Sequence, residues 1–328
     1  MEKLEIIDSK RLKGKLHGLN MPTVEKYRTK IEGNEFNVIR DDLPFPFPSP
    51  NFSKVRGIVS YFEKLQEKGI KIVASQDTII ARVGWGVGYF AEQFDMKHYG
   101  FYPKGHDDFY RKMMKSFGSV GVDLPGNHQR IVRGWAKKWL EKNNIKNYDF
   151  LPIGLRLDES KTEHIKLVEA IKDSLDCGGT LVMIVSSGTI LSGILAGIMN
   201  NDIDIDVKGI LVHPFKQRHK KILMDARKIS TRSPLVHPTK KWSFNIIDAG
   251  YSYNQKASLR PNFPCDQFLD AKAFTWMIEN YEELEPPVYF WNVGGEWSPE
   301  FGIDENLLGD GIISKKKIKK YLKSKGVE

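Results

Sequence analysis

The sequence predicts an α/β protein of two domains, each an open, twisted, mainly parallel sheet flanked by helices. Three observations point there. Short apolar, β-branched runs alternate with helix-length stretches, the pattern of strand–helix–strand units. The chain has 328 residues, more than one ordinary domain at roughly 100–200 residues each. Its apolar content of 41% supplies sizeable cores, and its charged content of 28% is ordinary for a soluble chain.

The elements follow in order. Leu43-Pro44-Phe45-Pro46-Phe47-Pro48-Ser49-Pro50 is a loop, because proline at every second position removes ladder donors and favours an extended path. It delivers the chain to Asn51-Phe52-Ser53-Lys54. Ile70-Lys71-Ile72-Val73-Ala74 reads as a strand, and residues 78–93 as the helix after it. Residues 163–175 place Ile165, Leu167, Val168, Ile171 and Leu175 at helical period. Thr180-Leu181-Val182-Met183-Ile184-Val185 is a buried strand, with a helix over 190–199. Residues 207–212 and Pro287-Val288-Tyr289-Phe290-Trp291 are two further strands. No internal repeat is visible.

Charge and cysteine usage narrow the class. The net charge is +9, and much of the excess lies in the tail from Lys315 to Lys325, which reads as a terminal helix with a solvated basic face. No run reaches the roughly 18 apolar residues of a membrane span, and the charged start Met1-Glu2-Lys3-Leu4-Glu5 is unlike a secretory signal. Cys177 and Cys265 are the two cysteines, which fits a reducing, cytoplasmic setting better than a disulfide framework. His98, His106, His128 and His164 lack metal-ligand spacing and read as surface or loop histidines.

Three constellations carry chemistry. In Val185-Ser186-Ser187-Gly188-Thr189-Ile190-Leu191-Ser192-Gly193 a strand ends, a small-residue turn follows and a helix begins. Such a turn either cradles a phosphate through its N–H groups or is a plain junction with a serine cap. No G-x-x-x-x-G-K-[ST] pattern is present, which argues against an NTPase. Gly84-Trp85-Gly86-Val87-Gly88 lacks dinucleotide spacing and lies inside the predicted helix, so close helix packing explains it better. The third is Arg40-Asp41-Asp42-Leu43, the proline loop, and Lys54-Val55-Arg56-Gly57.

In order along the chain, these segments resemble the 1-aminocyclopropane-1-carboxylate deaminase/D-cysteine desulfhydrase branch of the fold-type II (tryptophan synthase β-like) enzymes, which depend on pyridoxal 5'-phosphate (PLP). Pro22-Thr23-Val24-Glu25-Lys26, Arg40-Asp41-Asp42-Leu43 and Ser53-Lys54-Val55-Arg56 are similar to the family's T-P, K-R-D-D-L and G-G-N-K-x-R segments. Ser187 to Gly193 falls at its phosphate loop, and Gly250-Tyr251-Ser252-Tyr253 at its G-Y-G. Cys265 to Ala273 is similar to L-D-P-x-Y-T-x-K-A, and Phe290-Trp291-Asn292-Val293-Gly294-Gly295 to F-x-H-T-G-G. The resemblance implies that Lys54 is the Schiff-base lysine and the base that moves the substrate's α-proton. It implies that Ser187, Gly188, Thr189, Ile190 and Leu191 hold the phosphate, and that Tyr251 is catalytic beside the ring or substrate. It further implies a large domain of residues 1–54 plus 171–328, a small inserted domain of 55–170, the cofactor between them, and a homodimer.

The departures matter as much. Leu269 stands where the family has a second active-site tyrosine. Val293 stands where a threonine faces the pyridine nitrogen, and Asn292 is the residue placed to substitute. Ser75-Gln76-Asp77-Thr78 stands where the family loop grips the substrate carboxylate; an aspartate facing the site would repel one, which points to a substrate without that carboxylate or with it masked. The expected function is therefore a PLP-dependent lyase, deaminase, decarboxylase or isomerase acting on an amino-acid-like substrate. The basic tail and Lys216-Gln217-Arg218-His219-Lys220-Lys221 suit an aminoacyl group carried on a nucleic-acid base or another anionic carrier. The alternatives are a catalytically idle relative that binds a phosphorylated ligand or partner, and a nucleic-acid-binding module without chemistry.

Overall fold

The computed structural model describes residues 1–7, 15–16, 19–29, 33–44, 48–78, 81–104, 109–125, 129–175, 178–214, 218–231 and 242–296. The described residues fall into two compact units. One takes those within Met1–Pro46, Asn51–Gly57 and Asp158–Glu296; the other takes those within Phe47–Pro50 and Ile58–Leu157.

The first unit is built on a seven-stranded sheet. Its strands are β1 (Glu2–Ile7), β4 (Thr23–Arg28), β5 (Glu35–Arg40), β10 (Thr180–Val185), β11 (Asp206–Leu211), β12 (Ser243–Ile247) and β13 (Val288–Asn292), in the order β1-β4-β5-β13-β10-β11-β12. The pairs from β5 to β12 are parallel; β1–β4 and β4–β5 are antiparallel. A short hairpin, β2 (Lys15–Leu16) and β3 (Leu19–Asn20), stands apart.

β10 shows why the centre of this sheet is apolar without interruption. Leu181, Met183 and Val185 face a core with α5 (Asp158–Leu175), α6 (Thr189–Asn201) and α7 (Arg218–Ile229). Val182 and Ile184 face a second core with α8 (Asp270–Glu279). A strand covered on both faces has no polar side, so periodicity 2 disappears from its sequence. α6 lies close against α5 because two glycines present no side chain. A Cβ at Gly193 would lie 2.5 Å from the Lys161 carbonyl oxygen, and one at Gly197 2.6 Å from Val168 Cβ.

The second unit holds a four-stranded parallel sheet of β6 (Ile72–Gln76), β7 (Lys97–Pro103), β8 (Val120–Leu124) and β9 (Tyr148–Phe150), in the order β8-β7-β6-β9. Its helices are α2 (Val83–Gln93), α3 (Phe109–Ser116), α4 (Gln129–Lys142) and most of α1 (Val55–Glu67). Val132, Ala136 and Leu140 of α4 pack on Ala74, Tyr99, Phe101, Val122 and Leu124 of this sheet.

Several expectations need correction. The helix expected over 78–93 begins at Val83, so Gly84 lies in its first turn and not well inside it. Packing does explain these glycines: a Cβ at Gly84 would meet the Tyr102 hydroxyl at 2.1 Å, and one at Gly88 would meet Ser119 Oγ at 2.5 Å. His98 and His164 are buried, not superficial. His98 lies in β7 between the hydroxyls of Ser75 and Ser119, and burial pushes its pKa down to about 3, which keeps it neutral. His106, His128, Cys177 and the basic tail lie outside the described residues.

The α5–α6 contact makes a specific prediction. Gly193→Ala should lower the free energy of unfolding by about 1–3 kcal/mol, the usual cost of overpacking, as read from urea denaturation.

Candidate active site

Lys54 is held where two stretches of backbone meet. The Ser53 N–H donates to the Val293 carbonyl (2.8 Å) and the Gly295 N–H to the Asn51 carbonyl (2.9 Å), which lays residues 51–53 on the segment that follows β13. A turn then opens α1, with the Gly57 N–H donating to the Lys54 carbonyl at 3.1 Å. From there Lys54 Nζ donates to Ser187 Oγ at 3.1 Å, a contact between residues 133 apart in sequence.

Ser187 belongs to the turn between β10 and α6. Gly188 caps α6 with φ 82° and contributes no side-chain hydrogen bond. The left-handed φ favours glycine, and a Cβ here would also meet Ile222 Cγ1 at 2.6 Å. The first-turn amides of a helix have no intrahelical acceptor; in α6 these belong to Thr189, Ile190 and Leu191. The Thr189 N–H donates to Ser187 Oγ at 3.4 Å; with the helix dipole behind them, first-turn amides of this kind suit an anion. Ser187 Oγ and Thr189 Oγ1 share a hydrogen bond of 3.0 Å. Arg218 Nη1 donates to the Ser187 carbonyl at 2.9 Å. Arg218 is buried and braces this turn, a correction to its reading as part of an anion-facing basic cluster.

The Lys54 segment is anchored by the Asp41 carboxylate. Oδ1 accepts from Arg56 Nε (2.9 Å), and Oδ2 accepts from Trp291 Nε1 (3.1 Å) and His164 Nε2 (3.2 Å). All four residues are almost wholly buried. Burial raises the Asp41 pKa, but the Arg56 charge and the His164 and Trp291 hydrogen bonds outweigh it and leave the carboxyl below its ordinary value. Neighbouring Asp42 is gripped by Arg40 through Nε (2.7 Å) and Nη2 (2.9 Å). The Arg40-Asp41-Asp42 motif thus consists of adjacent carboxylates, each paired with a different arginine.

At the end of β13, Asn292 is wholly buried. Its Nδ2 donates to the Pro264 carbonyl at 2.8 Å, while Oδ1 has no hydrogen-bond partner among the described residues. A buried acceptor without a donor is uncommon and calls for an explanation. Val293 offers its N–H to Asp270 Oδ1 (2.9 Å), and Leu269 precedes α8 with its side chain packed on the second core. The Tyr251 hydroxyl donates to the Lys272 carbonyl (3.1 Å), and burial together with the nearby Glu279 raises its pKa.

Ser75, Gln76, Asp77 and Thr78 belong to the other unit, at the end of β6. Asp77 Oδ1 accepts from the Thr78 N–H (3.1 Å) and Oδ2 from the Gly84 N–H (2.7 Å), so its carboxylate sits on the N-terminus of α2. The structure therefore joins Lys54 to the 187–189 turn, and places Asn292 next to the residue whose carbonyl holds Ser53. Sequence reasoning missed the roles of Arg56, Arg218, Asp270 and Lys272. The one local signal was Lys272, a charged residue flanked by Ala271, Ala273 and Phe274. Among the described residues no cluster of His, Cys, Asp or Glu is arranged to hold a metal ion.

Comparison with known proteins adds the following. No protein-family model matches the chain. It is 30% identical over 292 residues to the "Glycyl-dTMP PLP-dependent decarboxylase" of Pseudomonas phage M6, covering 84% of this chain and 99% of that protein. Among solved structures, it resembles an ACC deaminase homologue with a TM-score of 0.66 at 17% identity, covering 80% of this chain and 85% of that one. It resembles a fungal L-serine ammonia-lyase from Rhizomucor miehei with a TM-score of 0.59 at 14% identity, covering 93% and 98%. A hydrogen sulfide-producing enzyme from Fusobacterium nucleatum gives a TM-score of 0.59 at 14% identity, covering 84% and 94%. The structural likenesses concern the fold alone.

The Asp41 network predicts that Asp41→Asn strands a buried guanidinium. The expected loss of stability at neutral pH is about 3–5 kcal/mol, the cost of breaking a buried pair from one side. The sign with pH follows from linkage. The folded-state pKa is lowered, so the wild-type contribution is complete above the unfolded value of about 3.9 and fades as pH falls through the folded value. Urea denaturation across pH should show the gap between wild type and variant closing in acid.

Proposed function

We propose a reaction from one premise: the chain belongs to the PLP-dependent enzymes of fold type II. The proposed reaction is decarboxylation of an amino acid carried on a thymidine nucleotide, the chemistry named for its phage relative. One observation carries the site: an amine, Lys54 Nζ, lies 3.1 Å from a hydroxyl at the N-terminus of α6, whose capping residue supplies no side-chain bond.

The residues present fit the cofactor. An amine suits its aldehyde and the α6 amides suit its phosphate, while Asn292 Oδ1 is a buried acceptor with no partner among the described residues for a polar ring atom. Lys54 would carry it, residues Ser187 to Leu191 would hold the phosphate, and Arg218 would keep the Ser187 turn in shape. When bound, PLP takes up the electron pair left by the broken bond.

The chain's own groups then shape the outcome. The bond from the α-carbon to the carboxylate breaks, CO2 leaves, and the α-carbon takes a proton. Lys54 Nζ is the group proposed to deliver that proton, oriented by Ser187 Oγ. Leu269, in place of a tyrosine, offers no rival acid. Decarboxylation needs a free substrate carboxylate, so the expectation of an absent or masked one is given up. Hydrogen bonds to a carboxylate stabilise it before reaction and weaken as it becomes neutral CO2, so donors there slow the step. In this chain the Thr78 and Gly84 amides donate to Asp77 itself.

The idle reading has less support, because the relative is named as an enzyme and the Lys54–Ser187 contact supports the cofactor reading. Among the described residues no helix is long and apolar enough to cross a membrane. A cytoplasmic homodimer belongs to the same proposal, on the family resemblance and the two cysteines of the sequence.

The test is carboxyl-labelled glycyl-dTMP incubated with PLP-loaded protein. The label should appear as CO2, and Lys54→Ala should reduce the rate by at least about 10³-fold. Release of ammonia with the label retained on the nucleotide contradicts decarboxylation.

A further inference from the structure

We infer that Lys272 is a positioning residue for this reaction: its ammonium, enclosed by three backbone carbonyls, ties the Tyr251 segment to the strand ends that carry the anion site. Lys272 lies in the first turn of α8 and is wholly buried. Nζ donates to the carbonyls of Ser252 (2.8 Å), Tyr253 (3.2 Å) and Val212 (3.3 Å). An ammonium has three N–H donors, and here each has an acceptor. Nζ also stands 5.9 Å from the centre of the Tyr251 ring, and the Tyr251 hydroxyl donates to the carbonyl of Lys272 itself.

The path from this cage to the anion site is continuous. The Val212 N–H donates to the Val185 carbonyl at 3.0 Å, and Val185 ends β10 two residues before Ser187. One side chain therefore connects the tyrosine segment, the end of β11 and the strand that leads into the Ser187 turn. Tyr253 extends the arrangement by packing its ring against His213, with centroids 5.5 Å apart.

A purely structural role is a poor explanation for a charge at this position. Among the described residues Lys272 forms no ion pair, so its desolvation is offset chiefly by carbonyl dipoles. Burial pushes its pKa down to about 8, with Asp266 acting the other way. His213 feels the Lys272 charge together with those of Arg218 and Asp248, and the Tyr251 ring beside Lys272 Nζ feels Glu279. A depressed lysine pKa means the charged form is disfavoured by folding, so stability from this group is lower below about pH 8 and recovers above it. Methionine fills a similar shape without that cost. A lysine here is explained by what its three donors hold in place.

The catalytic consequence rests on the PLP-enzyme reading; the fixing of the segment does not, and the experiment separates them. Hydrogen–deuterium exchange is measured on cofactor-free wild type and Lys272→Met at neutral pH. Faster exchange by at least about tenfold at Gln255 and its neighbours, with β10 and β11 still protected, is expected; unchanged exchange overturns the inference. If the variant fails to fold, wild type alone is followed from neutral pH to one unit above the Lys272 midpoint. Protection at residues 252–257 should fall there before the rest of the unit, and protection that persists overturns the inference. With PLP and substrate, Lys272→Met should lower kcat more than it raises KM and should lose the alkaline limb of the pH profile. Altered exchange without any wild-type turnover refutes the enzyme reading instead, and wild-type kcat with an unchanged pH profile overturns the positioning role.

Discussion

The Asp41 carboxylate is the point on which the candidate site depends. Its three hydrogen bonds come from the residue two places after Lys54, from β13 and from α5. A carboxylate and a guanidinium this deeply buried are tolerated only while they stay paired, since either alone faces several kcal/mol of desolvation. The pair therefore fixes the start of α1 relative to β13, and with it the origin of the Lys54 side chain. The contact from Lys54 to Ser187 then spans the sheet because β13 and β10 are neighbours in parallel register.

Much of the fold was legible because its apolar signals are local. The run Thr180 to Val185 is a strand with the bounds its sequence suggests, and the turn from Ser186 to Gly188 lies where strand becomes helix. Lys54 and Ser187 were recognisable through their order along the chain. What could not be read were the partners. Nothing local to Arg218 says that it holds the Ser187 carbonyl, and nothing near His98 or His164 says that each is buried between polar partners. The late start of α2 was hidden for a related reason. Asp77 accepts from the Gly84 amide seven residues on, a capping arrangement that no nearest-neighbour pattern displays.

The same contrast separates cofactor from reaction. The groups proposed to hold PLP are backbone amides, glycine and lysine, and these match the family pattern in recognisable form. The positions proposed to select a bond depart from that pattern: leucine at 269 and valine at 293 lack the expected hydroxyls, and the aspartate at 77 engages its own helix. The chain's +9 charge is compatible with an anionic carrier, while Arg218 is buried against the Ser187 carbonyl.

Lys54 is the lysine proposed to carry PLP. Lys272, wholly buried and with a lowered pKa, is the natural rival, although its three donors are already engaged. Reduction of the PLP-loaded protein with borohydride, followed by digestion and mass spectrometry, decides between them. The account predicts the reduced cofactor on the peptide containing Lys54 and on no other. Its recovery on Lys272, or no incorporation at all, would contradict it.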